Sequence, residues 1–349
     1  MLSAQNAPRS NKLRGPEDEV SLDGSTNVLL APIRGVDFRR SLPKPLFERR
    51  PARFVAKFSA AMTLIVVGLG VMAWGLSAGG RGWIAVALSV AVVGVMYAHL
   101  VELQHECLHE HACRSRRLNR VFGFLCGVFM LSSFSHYKYD HLRHHAALGT
   151  SQNREFFNYR FRNLDSWWGF VVGAYHLGRY VDVFRNMLRS LLGRPIPGVN
   201  REHDLRRIRA EYRLFALILA AAGAGAALSG EYVLVLFAWV LPAILVAEAT
   251  HFLIELPEHF GLNTQTDPNV LTNTRTITAS RFAQWLTNSN NLHTAHHFHQ
   301  GVPMVNVERL HEMTKDNFAV VDPSYWSFYR NVIRGDLRCQ GADETCMTR

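Results

Sequence analysis

Leu100-Val101-Glu102-Leu103-Gln104-His105-Glu106-Cys107-Leu108-His109 is the stretch that decides the fold, because a long apolar run ends in it and a histidine pair follows at once. Upstream, Trp83 to Leu103 is apolar almost throughout. Phe58 to Ala78 is a second such run, separated from the first by Gly79-Gly80-Arg81-Gly82. Each run is close to the ~20 residues a helix needs to span a bilayer, so the spacing predicts two membrane helices joined by a minimal turn. The histidine pair then sits where the second helix leaves the membrane.

A single pair at i, i+4 is most often an ordinary polar pair on a helix. This one has company: His141-Leu142-Arg143-His144-His145 and His293-Thr294-Ala295-His296-His297 share a spacing of their own. Positions i, i+3 and i+4 lie on one helix face, so each box aims its imidazoles at one point. The eight histidines of the boxes exceed the three or four ligands of a mononuclear zinc site, which points to two metals. All-nitrogen ligation without cysteine pairs suits iron. An imidazole-held iron pair activates dioxygen with electrons from elsewhere, so two iron ions, with O2 as co-substrate, are the expected chemistry.

The chain has 349 residues, of which 48% are hydrophobic, and its mean hydropathy is −0.01. That average is soluble-like, but the apolar residues are bunched. Five cysteines form no C-x-x-C pair and no even framework, which argues against a zinc ribbon or disulfide scaffold and for a reducing, cytosol-facing setting. The formal charge of +10 comes from basic residues flanking apolar segments, which reads as membrane-surface basicity; no nucleic-acid partner is expected. Residues 1–50 are polar without an apolar leader and are expected to form a partly disordered arm.

Val121 to Phe134 is apolar but too short to cross, and should be re-entrant or interfacial. Asp165 to Leu192 reads as an amphipathic helix in the headgroup layer. Leu214 to Leu228 and Tyr232 to Ala247 form a second helix pair around Ser229-Gly230-Glu231, short for full spans. Basic residues before and after the pairs (Arg49, Arg50, Arg53 and Lys57; Arg114, Arg116, Arg117 and Arg120; Arg206, Arg207, Arg209 and Arg213) place those ends in the cytoplasm. The expected fold is therefore an all-α integral membrane protein. Its four transmembrane helices (about 58–78, 83–103, 214–229 and 232–249) form two hairpins carrying a cytoplasmic histidine-box di-iron domain. The membrane domain is expected over 51–320 and a C-terminal tail over 321–349, with both termini and the metal site cytoplasmic.

Boxes of the form H-x3-H, H-x2-H-H and H-x2-H-H, set this way against two hydrophobic pairs, resemble the membrane fatty acid desaturase/hydroxylase superfamily. The likeness runs from about Arg53 to about Leu310 and includes Arg116-Arg117-Leu118-Asn119, Tyr137-Lys138-Tyr139-Asp140 and Val302-Pro303. It implies His105, His109, His141, His144, His145, His293, His296 and His297 as metal ligands, and a ninth between the second and third boxes. Pro257-Glu258-His259-Phe260-Gly261-Leu262 resembles the segment that supplies this ligand in membrane alkane hydroxylases, which points to His259. His251 is the rival, at the position used in acyl-CoA desaturases. Box one departs from the pattern in continuing to His111, a further candidate, whereas His136, His299 and His311 match no ligand position. Asp140, Glu106 and Glu258 adjoin ligands and are placed to orient imidazoles.

The resemblance implies an O2-dependent desaturase that removes hydrogen from unactivated C–H bonds of a fatty acyl chain or lipid. Glu255-Leu256-Pro257-Glu258-His259, Thr274-Arg275-Thr276 and Asn291-x-His293 are similar to a bacterial branch that also holds desaturases of small amino-acid-derived metabolites such as dihydrorhizobitoxine. A desaturase or hydroxylase of a small metabolite therefore stays open, and the bacterial inner membrane is the expected location. No haem, iron–sulfur or dinucleotide motif is present, so electrons are expected from a separate ferredoxin, rubredoxin or cytochrome with its reductase. One reading from another class is a membrane zinc metalloprotease using His105-Glu106-x-x-His109 with Glu106 as general base; it leaves both later boxes without a role. A metal transporter would carry polar groups near mid-membrane, whereas the spans are almost free of them apart from His99 and Glu102 near a helix end.

Overall fold

The computed structural model describes residues 39–157, 159, 164 and 166–337. Residues 1–38 of the expected arm and 338–349 of the expected tail lie outside the described residues. The chain divides into a unit ending at Leu42 and one starting at Pro43, and all that follows concerns the second.

In chain order its helices are α1 Pro51–Ala78, α2 Gly82–Leu108, α3 Arg116–Gly127, α4 Phe134–Ala147, α5 Trp167–Ala174, α6 Gly178–Leu191, α7 Glu202–Ser229 and α8 Tyr232–His259. After these come β1 Thr276–Ile277, α9 Arg281–Leu286, α10 His293–Phe298, α11 Met304–Thr314, β2 Val321–Asp322 and α12 Tyr325–Arg334. The two strands pair in parallel, Thr276 with Val321 and Ile277 with Asp322. Among the described residues four helices, ending at Ala78, Leu108, Ser229 and His259, are long and apolar enough to cross a membrane.

The core is built on α2. From Val93 to Leu108 nearly all its side chains are buried, with α1, α3, α4 and α8 packed around it. The short apolar stretch after box one becomes α3 and α4, which meet at 99° through Leu131 in left-handed geometry (φ 53°). Gln104 pins this corner to α2: its amide donates to the carbonyls of Gly123 and Ser132, each at 2.9 Å, and accepts from Ser132 Oγ at 2.7 Å. A Cβ on Gly127 would lie 2.2 Å from that amide nitrogen, so only glycine admits the contact. The second box is thereby delivered beside the first.

α7 and α8 are each 28 residues long, and so extend past the apolar runs that marked them in the sequence. Backbone hydrogen bonding carries a helix beyond its lipid-facing part, whereas an apolar run records only that part. α8 also survives two prolines. Pro242 offers no N–H to the Ala238 carbonyl, and the helix widens into π-turns around it; Tyr97 Oη donates to that carbonyl at 2.8 Å. A neighbouring helix thus satisfies a backbone group that lipid could not.

The expected single amphipathic helix over 165–192 is two helices, broken at Tyr175–Leu177. The break turns Arg179 inward, where it donates to the Met130 carbonyl at 2.9 Å and pairs with Glu248. Trp167, Trp168, Phe184 and Leu188 remain exposed. Part of the segment expected as a tail forms β2 and α12.

Candidate metal centre

Each box reaches the centre on a differently terminated element. His105 and His109 close α2, which stops because Glu110 takes a positive φ of 61°. His141, His144 and His145 lie on the last two turns of α4. α10 begins at His293, after Asn288 and Ser289 turn the chain through left-handed geometry (φ 48° and 68°). His259 is the last residue of α8.

Among the described residues nine imidazoles meet in two sets. His105, His109, His141, His145 and His296 form one, and His144, His259, His293 and His297 the other. Within each set the candidate donor atoms lie within 4.8 Å of one another. Boxes two and three are thus shared between the sets, and box one serves only the first.

In the first set His141 Nε2 lies 2.9 Å from His105 Nε2 and 3.0 Å from both His109 Nε2 and His145 Nε2. His296 Nε2 is 3.0 Å from His145 Nε2. In the second, His293 Nε2 is 3.1 Å from His259 Nε2, and His144 Nε2 is 3.3 Å from His297 Nε2. A ring nitrogen holds one proton or one lone pair, so His141 Nε2 can make at most one of its three contacts a hydrogen bond. The others set lone pair against lone pair, and a shared cation removes that conflict. The residues present therefore fit a metal pair.

Several rings are held from behind. The carbonyl of Asn273 can only accept, so His259 Nδ1, 3.0 Å away, carries the proton and Nε2 presents its lone pair to the set. His144 Nδ1 lies 2.7 Å from Asn153 Oδ1 and 2.7 Å from Glu155 Oε1. His293 Nδ1 is 3.2 Å from Asn290 Oδ1, and Asn290 in turn donates to Glu258 at 2.6 Å. Burial, reinforced by the neighbouring imidazoles, holds His109, His141, His145, His293, His296 and His297 well below the ordinary histidine range. They are neutral at pH 7 and free to ligate.

The remaining sequence candidates fall outside the two sets. His251 Nδ1 bonds the Tyr159 hydroxyl at 2.8 Å. His111 stacks on His109 at 5.6 Å between ring centroids, and burial lowers its pKa to about 4. His136 bonds Tyr212 and faces Asp140, His299 packs on Phe47, and His311 packs on Phe318. Of the three carboxylates expected beside ligands, Glu258 lies 3.4 Å from His293 Nε2. Glu106 instead accepts from Asn288 at 2.9 Å, in a chain that continues to Lys57, and Asp140 meets His136. Asn153, Glu155, Asn273 and Asn290 were not singled out from the sequence. Only the asparagine-rich run before box three, Asn288 to Asn291, was a visible signal for a tight turn there.

The sequence matches the family model described as Fatty acid desaturase over residues 81–329, from the turn before α2 into α12. No curated protein matches the chain.

Proposed function

The chain belongs to the fatty acid desaturase family, and from that premise we propose that it is a membrane-bound, di-iron, O2-dependent desaturase oxidising unactivated C–H bonds of an aliphatic chain. The observation that carries this reading is the meeting of nine imidazoles, seven of them buried and those of His109 and His145 half-buried, in two adjacent sets. In the proposal His105, His109, His141, His145 and His296 hold one iron, and His144, His259, His293 and His297 hold the other. His251 and His111 are left unligated.

The spacing of the nitrogens favours right-angled over tetrahedral ligation. Metal–nitrogen bonds of about 2.1 Å put neighbouring nitrogens about 3.0 Å apart at right angles and about 3.4 Å apart in a tetrahedron. Five of the six nitrogen separations given above, at 2.9–3.1 Å, match the right-angled case. When bound, the iron pair supplies oxidising power by activating O2 with electrons delivered from outside. The chain's own part is to keep the imidazoles neutral, to fix them through Asn153, Glu155, Asn273 and Asn290, and to keep water away by burying them. The metalloprotease reading fits less well: Glu106 is engaged by Asn288, and a single zinc would leave most of the nine histidines without work.

An acyl chain or lipid is the substrate that the membrane helices favour. A small amino-acid-derived metabolite is the second reading, favoured by carboxylates set into α2 and α8. Electrons come in this proposal from a separate ferredoxin, rubredoxin or cytochrome with its reductase. A cavity of about 590 Å³ lined by Arg120, Arg143, Arg201 and Arg207, with Asp204 on its wall and Glu110 paired to Arg116 and Lys138, keeps an excess of basic groups that suits an acidic carrier. Lys138, Leu142 and Arg143 line it from α4, the helix that carries the second box. With this basic surface and both termini on the cytoplasmic side of a bacterial inner membrane, carrier and centre meet in one compartment.

The test is metal content per chain in detergent-purified protein, with Mössbauer spectroscopy for coupled iron, followed by product analysis of host lipids and small metabolites. Two coupled irons per chain are expected. One zinc and no iron would overturn the proposal.

A further inference from the structure

One helical turn before the histidines, α2 and α8 carry a second group of polar side chains, tied to the centre through Asn290, which hydrogen-bonds the Glu102 carboxyl. Glu102 precedes His105 by three residues, and Glu255 precedes His259 by four, so each shares a helix face with a histidine of the centre. His251, four residues before Glu255, continues that stripe. Its Nε2 lies 3.4 Å from Glu255 Oε1 and 3.7 Å from Glu102 Oε1 and has no hydrogen-bond partner; nor has Glu102 Oε2. Both side chains are buried, His251 at 0% and Glu102 at 2% exposure, whereas Glu255 keeps 17% of its side chain accessible.

Other carboxylates nearby have evident work. Glu155 and Glu258 lie against histidines of the two sets, Glu106 accepts from Asn288, and Glu248 is paired with Arg179. Among the described residues, neither Glu102 nor Glu255 forms an ion pair with a lysine or arginine. Carboxylates placed on membrane-crossing helices without a cation are costly and mark functional positions. The three groups belong to neither metal set.

We propose that Glu102, Glu255 and His251 form the site that receives the cationic nitrogen of an amine-bearing substrate. The proposal rests on the oxidative reading above and names its substrate class. A primary ammonium has three N–H donors; the two carboxylates accept from it, and His251 Nε2 does so when Nδ1 carries the ring proton toward Tyr159. One helical turn is about 5.4 Å, so a nitrogen held here sets the carbons a few bonds away beside the histidine sets. Oxidation then falls close to the amine end of the substrate.

The test uses detergent-purified holoenzyme and three probes of equal chain length: hexylamine, hexan-1-ol and hexanoate. Binding is read by calorimetry and by the shift in thermal unfolding, with iron per chain measured on the same samples. Hexylamine is expected to bind at least about tenfold more tightly than the alcohol, with no binding of the carboxylate, and Glu102→Gln and Glu255→Gln should abolish that preference at unchanged iron content. Equal affinity of the wild-type protein for amine and alcohol overturns the proposal even if a variant fails to fold. So does a preference that survives both substitutions. Iron content separates the two readings: amine selectivity in a protein without coupled iron supports this site while sinking the di-iron assignment.

Discussion

The Tyr329 hydroxyl donates to the backbone carbonyl of Leu253. In an unbroken helix that carbonyl would receive the N–H of residue 257, which is Pro257 and has none. His259 follows two residues later, so a hydroxyl from α12 secures the end of α8 that carries a histidine of the second set. Tyr329→Phe is expected to lower stability by about 1–2 kcal/mol and to loosen metal held by that set. Thermal unfolding together with iron content after dialysis measures both effects.

Removing a histidine from the second set should empty it. His144→Ala, His259→Ala and His297→Ala are each expected to lose iron and all turnover. His311→Ala, His111→Ala and His251→Ala should keep their iron, because those rings face Phe318, His109 and Tyr159. Elemental analysis of the purified variants decides, and a full iron complement in His259→Ala would reassign the ninth ligand.

The approach of α2 to α8 depends on Gly94. A Cβ there would lie 2.4 Å from the Val246 Cβ and 2.6 Å from the Pro242 carbonyl. Gly94→Val should therefore cost about 1–3 kcal/mol and lower the yield of folded protein. Gly70→Ala, with nothing within 4 Å, should be neutral. Unfolding midpoints in one detergent compare them directly.

Stability of the chelator-stripped protein should depend on pH in one direction. The buried rings of His141, His293 and His297 have pKa values pushed below the ordinary value, so the unfolded chain binds protons that the folded chain refuses. Above about pH 6.5 both states are neutral and nothing is lost; as pH falls through that value, stability drops. Thermal unfolding should be level from about pH 8 to about pH 7 and decline below about pH 6.5, and a profile flat down to about pH 5.5 would contradict the burial of these rings.

Charge on the basic cavity should govern reduction and leave the metal alone. Arg201→Glu with Arg207→Glu is expected to slow reduction by an acidic carrier by about tenfold at low salt, with iron content unchanged. Stopped-flow reduction at two ionic strengths reads this. Unaltered kinetics would move carrier docking elsewhere on the surface.

Much of this molecule was legible in the chain. The apolar runs ending near Ala78 and Leu103 located α1 and α2, and the repeated histidine spacing located the chemistry, because both signals are periodic and local. Helix ends were less legible: α7 begins at Glu202 and α8 runs to His259 because backbone bonding continues where apolar residues stop. The break at Tyr175–Leu177 was hidden as well, since the ion pair it accompanies joins Arg179 and Glu248, residues far apart in sequence.

By itself the sequence determined which side chains could face a common point, since i, i+3 and i+4 fix a helix face whatever the helix packs against. Only the tertiary structure decided how those faces divide. His144 joins His297 while His145 joins His296, and His259 enters a set while His251, two turns earlier on the same helix, turns toward Tyr159. The physical reason is that spacing along one helix sets a direction. Which nitrogens share a centre depends on how α2, α4, α8 and α10 pack, and that is fixed by long-range contacts such as Gln104 against the α3–α4 corner and Tyr329 on the end of α8.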